Sequence, residues 1–307
     1  MILIIQYYMI ITIPLEGKIN LNEYLSVFYR VSERWPQMDY HSHQEYEIYF
    51  FHSGSCRYLI HNQIYDLEPG DILVMDGMAL HKANIPTNSE YVRSILHFSP
   101  HWIRGVLKEL GGMYLLKVFD TLHHCLIRTK ENDESKELER LFLQLEDVSR
   151  SQYLGNKYAE TEQKILLLQI LVIVNRLGQL DRIKPPNNKV EKTYHAEKIA
   201  TYIQENYMSK LTIDSIAKTL CLSKSYVSHV FKEMTGFTVM EYVMGCRLTQ
   251  VKYLLEMEPD KSLKEIAFEC GFESVSHFSR YFKEKVGVTA KEFRQKRLKI
   301  YSEENGK

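Results

Sequence analysis

The feature that most restricts the fold of this chain is a unit that occurs twice in its C-terminal third. Ile216-Ala217 recurs 50 residues later as Ile266-Ala267. Further along, Ser228-His-Val-Phe-Lys-Glu233 recurs 51 residues later as Ser279-Arg-Tyr-Phe-Lys-Glu284. The spacing between matched positions changes by one residue, which places one extra residue in the second copy. A fold for this region must therefore contain the same small unit twice.

Each copy has the periodicity of two short helices joined by a tight turn. In the first copy an apolar stripe at helical spacing breaks at Cys221-Leu222-Ser223, and Ser223 can cap a second helix. In the second copy the turn falls at Gly271-Phe272. This pattern predicts a helix-turn-helix, whose second helix can enter the major groove of DNA. A longer helix over about 239–255 joins the copies, so we expect an all-α domain over 194–299 with a tail at 300–307.

The outward faces of the two second helices carry short hydroxyls, cations and a histidine, which suit contacts with base edges and phosphates. The alternative is a solvated polar face, but that does not explain why polar positions match in both copies. The base-proximal positions that we predict are Lys224, Ser225, Ser228, His229, Ser274, Val275, Ser276, Ser279 and Arg280. The phosphate contacts that we predict are Lys232, Lys283, Lys291, Arg294 and Arg297.

These residues carry a family resemblance: about a third of the chain resembles the AraC-type DNA-binding domain. The matching residues are Ile216-Ala217, Leu222-Ser223, Phe231-Lys232-Glu233, Thr235-Gly236, Tyr242, Arg247-Leu248, Leu254-Leu255, Ile266-Ala267, Cys270-Gly271-Phe272, His277-Phe278-Ser279-Arg280 and Phe282-Lys283. Two departures are Val239 and Ala290, which stand where the family usually has proline. The resemblance implies a transcription regulator that binds double-stranded DNA in a sequence-specific manner.

The first hundred residues have a different sequence pattern, with short runs of β-forming residues separated by turn residues. The runs are 47–51, 57–60, 64–67, 71–75 and 91–98, and their spacing is typical of a β-sandwich or barrel. The apolar segment 1–15 also has strand composition and is too short to span a bilayer, so we expect no membrane association.

Helical periodicity replaces the strands after residue 100. Leu138, Leu141, Phe142, Leu145 and Val148 form one apolar stripe, and Ile165 to Leu177 is apolar on almost every side. Helices over about 135–180 either pack across the β-domain or form a subunit interface, and a homodimer is the expectation. Two consecutive prolines and a polar run then mark a linker over 183–193.

The β-rich segment also contains His41-Ser-His43, with Glu47 four residues later and His81 further on. Such residues can hold a transition metal, and the spacing resembles the first motif of the cupin barrel. One interpretation is a metal-dependent cupin enzyme fused to a DNA-binding domain. The other, implied by the resemblance to regulators, is a sensor that holds a small ligand without metal, cofactor or catalysis. We favour the sensor, with ligand-binding candidates His41, His43, Glu47, Tyr49 and His81.

The predicted architecture is thus two domains. The first (1–182) is an N-terminal all-β cupin-like barrel with flanking helices, and the second is a C-terminal all-α domain with two helix-turn-helix units. Among regulators of this kind a sugar is a common effector, so a sugar is our leading candidate, and RNA polymerase is a further expected partner. The formal net charge is zero, but residues 280–299 hold eight basic and two acidic residues. Five scattered cysteines without a C-x-x-C pair favour a reducing, cytoplasmic location.

Overall fold

The computed structural model describes residues 5–6, 9–10, 24–33, 45–122, 124–129, 133–152, 156–180 and 190–305. They form an N-terminal antiparallel β-domain with helices on one side, followed by a helical C-terminal domain, as the sequence predicts. The linker segment 183–189 lies outside the described residues. No described helix has the length and apolar character needed to cross a bilayer.

The β-domain is built from two antiparallel sheets, preceded by a small hairpin of strands β1 (Ile5–Gln6) and β2 (Met9–Ile10). The larger sheet has the order β10-β7-β4-β9-β3 and the smaller one β6-β5-β8. The strands are β3 (Leu25–Val31), β4 (Tyr46–Gly54), β5 (Cys56–Ile60), β6 (Gln63–Leu67), β7 (Asp71–Met75), β8 (His81–Asn84), β9 (Tyr91–Phe98) and β10 (His124–Arg128). All five predicted runs are strands, whereas β3, β8 and β10 had not been predicted.

Alternation along β4 divides the domain into two cores. Ile48 and Phe50 face the flanking helices, whereas Tyr49 and Phe51 face the space between the two sheets. Both sets are almost fully buried. Because helices cover one face of the larger sheet and the smaller sheet covers the other, the central residues 48–51 of the strand are all apolar rather than alternating with polar residues.

In the described range 100–180, four helices and a 3₁₀ turn flank the larger sheet. They are α1 (Pro100–Glu109), the turn Met113–Leu116, α2 (Lys117–Leu122), α3 (Asp133–Gln152) and α4 (Ala159–Leu180). Four residues of the predicted stripe on α3, Leu138, Leu141, Phe142 and Leu145, are buried in the core that the sheet and α4 share, and Val148 is half-buried, so these helices do pack across the β-domain. An outer stripe of α4 stays accessible, with Ile165 52% and Val172 37% exposed.

The C-terminal domain consists of seven helices in the described range 190–305. They are α5 (Glu191–Asn206), α6 (Ile213–Thr219), α7 (Lys224–Thr235), α8 (Val239–Met257), α9 (Leu263–Glu269), α10 (Val275–Val286) and α11 (Ala290–Asn305). The long joining helix α8 is as predicted. Helix α5 begins three residues before the expected domain start at 194.

The two positions that depart from the family's proline are both first residues of helices. Val239 begins α8, where Thr238 and Glu241 form a reciprocal capping box. Ala290 begins α11, where the Thr289 hydroxyl accepts a hydrogen bond from the Glu292 backbone N–H at 3.2 Å. The caps define both helix starts, so proline is not required for this geometry.

Candidate functional sites

The two helix-turn-helix units have matching geometry. Ser223 and Ser274 are the N-caps of α7 and α10, and each hydroxyl accepts a hydrogen bond from a backbone N–H three residues later at 3.2 Å. The turn before each cap contains a left-handed residue, Cys221 (φ 55°) in the first unit and Gly271 (φ 83°) in the second. Glycine is required at Gly271, since a Cβ there would lie 2.6 Å from the Met208 carbonyl oxygen.

Helix α7 presents the predicted reading residues of the first unit to solvent. Ser225 and Lys232 are exposed, and the His229 side chain is 79% exposed. Lys224 forms an exposed ion pair with Asp214 at 2.9 Å, which costs little to exchange for a phosphate contact. Ser228 is half-buried, and its hydroxyl donates to the Lys224 carbonyl at 3.1 Å.

Helix α10 presents a similar face in the second unit. Ser276, Ser279, Arg280 and Lys283 are exposed, and Val275 is half-buried. The Ser274 hydroxyl is exposed but already serves as the helix cap. Sequence reasoning left out His277, which is exposed in the first turn of the same helix. Ser276 and Arg280, its neighbours on this helix, were predicted to lie near the bases, and their positions could have indicated His277 as well.

Helix α11 departs from the prediction at two of the three cations that were predicted to contact phosphates. Lys291 is exposed, but Arg297 is only 7% exposed and its guanidinium donates to the Glu256 carboxylate at 2.8 Å. Arg294 is half-buried and donates to the Lys261 carbonyl at 2.7 Å. Both arginines join α11 to the end of α8 or the loop that follows it, so we remove them from the set of phosphate contacts.

The interior of the β-domain contains a polar cluster centred on Glu47. The Glu47 carboxylate lies 3.3 Å from His81 Nε2 and 3.1 Å from His97 Nε2, and it is 2% exposed. His81 is fully buried, and its Nδ1 donates to the Ala79 carbonyl at 2.7 Å. The ring of Tyr58 stacks on His81 at a centroid distance of 6.3 Å.

The other predicted ligand residues fall in two places. Tyr49 is fully buried and its hydroxyl donates to that of Tyr91 at 2.7 Å, while burial raises its pKa well above the usual range. His41 and His43 lie outside the described residues. Within the part of the chain that the structure describes, no three His, Cys, Asp or Glu side chains form a group that could hold a metal ion.

His97 was missed by sequence reasoning although it completes the Glu47 cluster. The two residues are directly opposite each other in the β4–β9 pairing, a register that the local sequence does not reveal. Burial lowers the pKa of His97, but the charge of Glu47 and the hydrogen bond to it outweigh this and raise the pKa above its usual value. The Glu47 carboxylate therefore favours the protonated form of His97.

The interaction between His97 and Glu47 predicts that the stability of the fold depends on pH. The folded protein keeps the His97 proton where the unfolded chain, with a pKa of about 6.5, has lost it. The stabilisation is complete below about pH 6.5 and is lost as pH rises through the raised pKa. We expect the free energy of unfolding to fall more steeply between pH 6 and pH 8 in the wild type than in His97→Gln. Urea denaturation of both proteins measures this, and identical pH profiles would contradict it.

A cleft of about 470 Å³ lies between the domains. The β5–β6 turn contributes His61 and Asn62, the end of α5 contributes Gln204 and Tyr207, and α8 contributes Gln250. No lysine or arginine is among the described residues of its lining. The lining also includes the Glu205 carboxylate, so together with the amides, hydroxyls and imidazole it suits a hydrogen-bonding molecule without negative charge better than an anion.

Comparison with known proteins identifies both domains. Residues 24–151 match the family model described as the AraC-like ligand binding domain, and residues 216–296 match a helix-turn-helix domain model. The HTH-type transcriptional regulator YdeC of Bacillus subtilis is 25% identical, over 81% of this chain and 83% of that protein. The HTH-type transcriptional activator RhaS of Escherichia fergusonii is 24% identical, over 87% of this chain and 92% of that protein.

A shorter match is the bifunctional transcriptional activator/DNA repair enzyme AdaA of Bacillus subtilis. It is 34% identical over 115 residues, which are 37% of this chain and 54% of that protein. The match covers about half of AdaA, and the repair activity in its name is stated of that protein.

Proposed function

Since the chain belongs to the AraC family of transcription regulators and is a ligand-responsive DNA-binding protein, we propose how its two domains divide the work. Helices α7 and α10 read two successive major-groove segments of one operator. A small molecule held in the β-domain changes how well they do so. The observation that carries this proposal is the duplicated unit itself, with both second helices capped alike and their polar faces exposed.

The DNA contacts follow from exposure. The proposed base-reading side chains are Lys224, Ser225, Ser228, His229, Val275, Ser276, Ser279 and Arg280, with His277 added and Ser274 beside them as a cap. Lys232, Lys283 and Lys291 are exposed cations for phosphates. A mobility-shift titration with an operator selected from random duplexes tests the assignment. Affinity should fall steeply as salt increases, and a salt-independent affinity would contradict it.

The proposed effector site is the polar cluster around Glu47, and the proposed effector class is a neutral sugar. A buried carboxylate accepts hydrogen bonds from sugar hydroxyls, and the Tyr58 ring that stacks on His81 adds an aromatic group to the same cluster. Thermal shift against a panel of neutral pentoses and hexoses tests this, followed by operator binding with any sugar that stabilises the protein. Glu47→Gln should abolish the shift, whereas Glu68→Gln, at a 64% exposed side chain, should not. A bound sugar that altered neither DNA affinity nor oligomer geometry would refute the proposal.

The cleft between the domains is a second candidate for the effector site, because an occupant would touch both domains at once. The same thermal-shift panel separates the two locations. Gln250→Ala should remove the sugar-induced shift if the cleft is the site, and Glu47→Gln should then leave it intact. We favour the Glu47 cluster because its polar groups are buried and already organised.

We propose that the protein has no catalytic activity and no resident metal. In support, YdeC and RhaS, which align with most of this chain, are named as transcription regulators. Metal analysis of the purified protein tests this, and a stoichiometric transition metal would overturn it. A transcription regulator must reach the chromosomal DNA that it binds, so we also propose a cytoplasmic location. RNA polymerase remains a predicted partner.

We propose a homodimer formed through the outer stripe of α4. Ile165, Leu168 and Val172 lie on one side of that helix and are exposed or half-buried. Apolar side chains at this spacing suit packing against a second helix.

The dimer gives a testable expectation. The double variant Ile165→Glu/Val172→Glu should raise the dimer dissociation constant by about tenfold or more, because it places carboxylates in a desolvated interface. Sedimentation equilibrium measures the change. Leu110→Glu is the matched control, since Leu110 is 67% exposed on the same domain but off the stripe. A dimer equally stable in all three proteins would show that another surface forms it.

A further inference from the structure

The β-domain contacts the two helix-turn-helix units unequally. Leu59, Ile64 and Leu80 of the β-domain share a hydrophobic core with α5, α6, α7 and the start of α8. The apolar core around α9 and α10 is a separate cluster without a described β-domain residue. In the described part of the chain, the β-domain is therefore docked on the first unit, and the second unit has its own core.

Strand β8 is one of the β-domain elements that contact the first unit directly. Its residues alternate: His81 and Ala83 are buried in the β-domain, whereas Lys82 and Asn84 are half-buried on the opposite face, against α7. His81 is one of the two histidines that contact Glu47. One four-residue strand thus has its inward face in the proposed effector site and its outward face on the first reading helix.

The outward residues complete the C-terminal end of α7. Asn84 Nδ2 donates to the Glu233 carbonyl at 2.9 Å, and Lys82 Nζ donates to the Gly236 carbonyl at 3.2 Å. Carbonyls at a helix C-terminus lack partners within the helix and carry partial negative charge, so an amide donor and a cation stabilise them. The Lys82 ammonium also lies 4.7 Å from the centre of the Phe237 ring.

The glycine that ends α7 lies against the side chains of β8. Gly236 has φ 74°, and a Cβ there would lie 3.3 Å from Asn84 Oδ1. Gly287 ends α10 in the same conformation, with φ 80°. The two reading helices therefore end alike, but the end of α7 is additionally held by side chains of the ligand-sensing domain.

We propose that Lys82 and Asn84 are positioning residues for α7. Of the two major-groove segments of the operator, here called half-sites, the β-domain controls binding to the one read by α7. The half-site read by α10 is bound without control by the β-domain. The control step rests on the proposed function, because it takes the effector site to be the Glu47 cluster behind β8. Lys82 and Asn84 do not touch DNA in this scheme. They act by fixing the helix that does.

The test is quantitative footprinting of the full-length protein on an operator selected from random duplexes. His229→Ala and Arg280→Ala first assign which half-site belongs to α7 and which to α10. The double variant Lys82→Met/Asn84→Ala should then weaken protection of the α7 half-site by about tenfold, since two hydrogen bonds to the helix end are lost. Protection of the α10 half-site should stay within about twofold of wild type.

Three further variants separate positioning from general damage. Lys82→Arg keeps a cationic donor and should retain wild-type protection, and Lys108→Met on exposed α1 should do the same. If the double variant folds poorly, as judged by its circular dichroism melt, Asn84→Asp replaces it. That change removes the donor and brings a negative charge to the helix end, so the α7 half-site should again be weakened selectively.

The outcomes distinguish this inference from the function on which it rests. Equal losses at both half-sites, or no loss at either, would overturn the role of Lys82 and Asn84 while leaving DNA recognition intact. A wild-type protein that protects no selected duplex would overturn both. Selective loss at the α7 half-site, restored in Lys82→Arg, supports the inference.

Discussion

Replacement of Arg280 by alanine is expected to weaken operator binding by about 1–3 kcal/mol, because an arginine that bonds a guanine edge in two places contributes on that scale. Arg280 is exposed on the reading face of α10. The preference for one base at the contacted position should relax in parallel. Mobility-shift titrations at fixed salt, on the selected operator and its single-base variants, measure both effects.

Two other variants calibrate this result. His229→Ala changes the matched position of the first unit and should affect a different base pair. Arg140→Ala removes an exposed arginine of α3 and should leave affinity unchanged. Wild-type affinity in Arg280→Ala would remove this residue from the reading set. A loss that is uniform across all operator variants would make it a phosphate contact instead.

Replacement of Arg297 by alanine is expected to lower the free energy of unfolding of the C-terminal domain by about 3–5 kcal/mol, because it leaves the Glu256 carboxylate buried without its cation. Both side chains are at most about a tenth exposed. Urea denaturation followed by circular dichroism measures the change. Lys291→Ala, at an exposed position of the same helix, should leave stability unchanged.

A compensating variant distinguishes a structural Arg297 from one that binds phosphate. Arg297→Met with Glu256→Leu replaces the pair by apolar groups and should recover most of the lost stability. If Arg297 is structural, this double variant binds operator with wild-type affinity and salt dependence. A recovered fold that binds DNA more weakly, with a smaller salt slope, would restore Arg297 to the phosphate contacts.

The fold was largely predictable because its strongest signals are local. The duplicated unit, the helix cap at Ser223 and the apolar stripe on α3 are such signals. Each depends on residues that lie within a few helical turns of one another. Strands β4 to β7 are bounded by turn residues that the sequence displays. Strands β3 and β8 were missed because they are short or follow no clear turn signal, and β8 includes polar residues whose partners belong to another domain.

The errors at the candidate sites have a common physical cause, which is a partner distant in sequence. Ala290, Phe293 and Arg297 lie at i, i+3 and i+7, a spacing that indicates one buried face, but Glu256 is 41 residues from Arg297. His97 likewise meets Glu47 only through the register of two strands. The basic composition of α11 therefore led to too many predicted DNA-contacting cations. The histidine motif, in turn, did not include His97 in the polar cluster.

The central claim is that one chain reads two successive groove segments with α7 and α10. Hydroxyl-radical footprinting on a selected operator tests it most directly. We expect two protected segments on the same face of the duplex, about one helical turn or 10 base pairs apart. Alanine at His229 should weaken one segment and alanine at Arg280 the other. A single protected segment that responds to both substitutions would contradict the account.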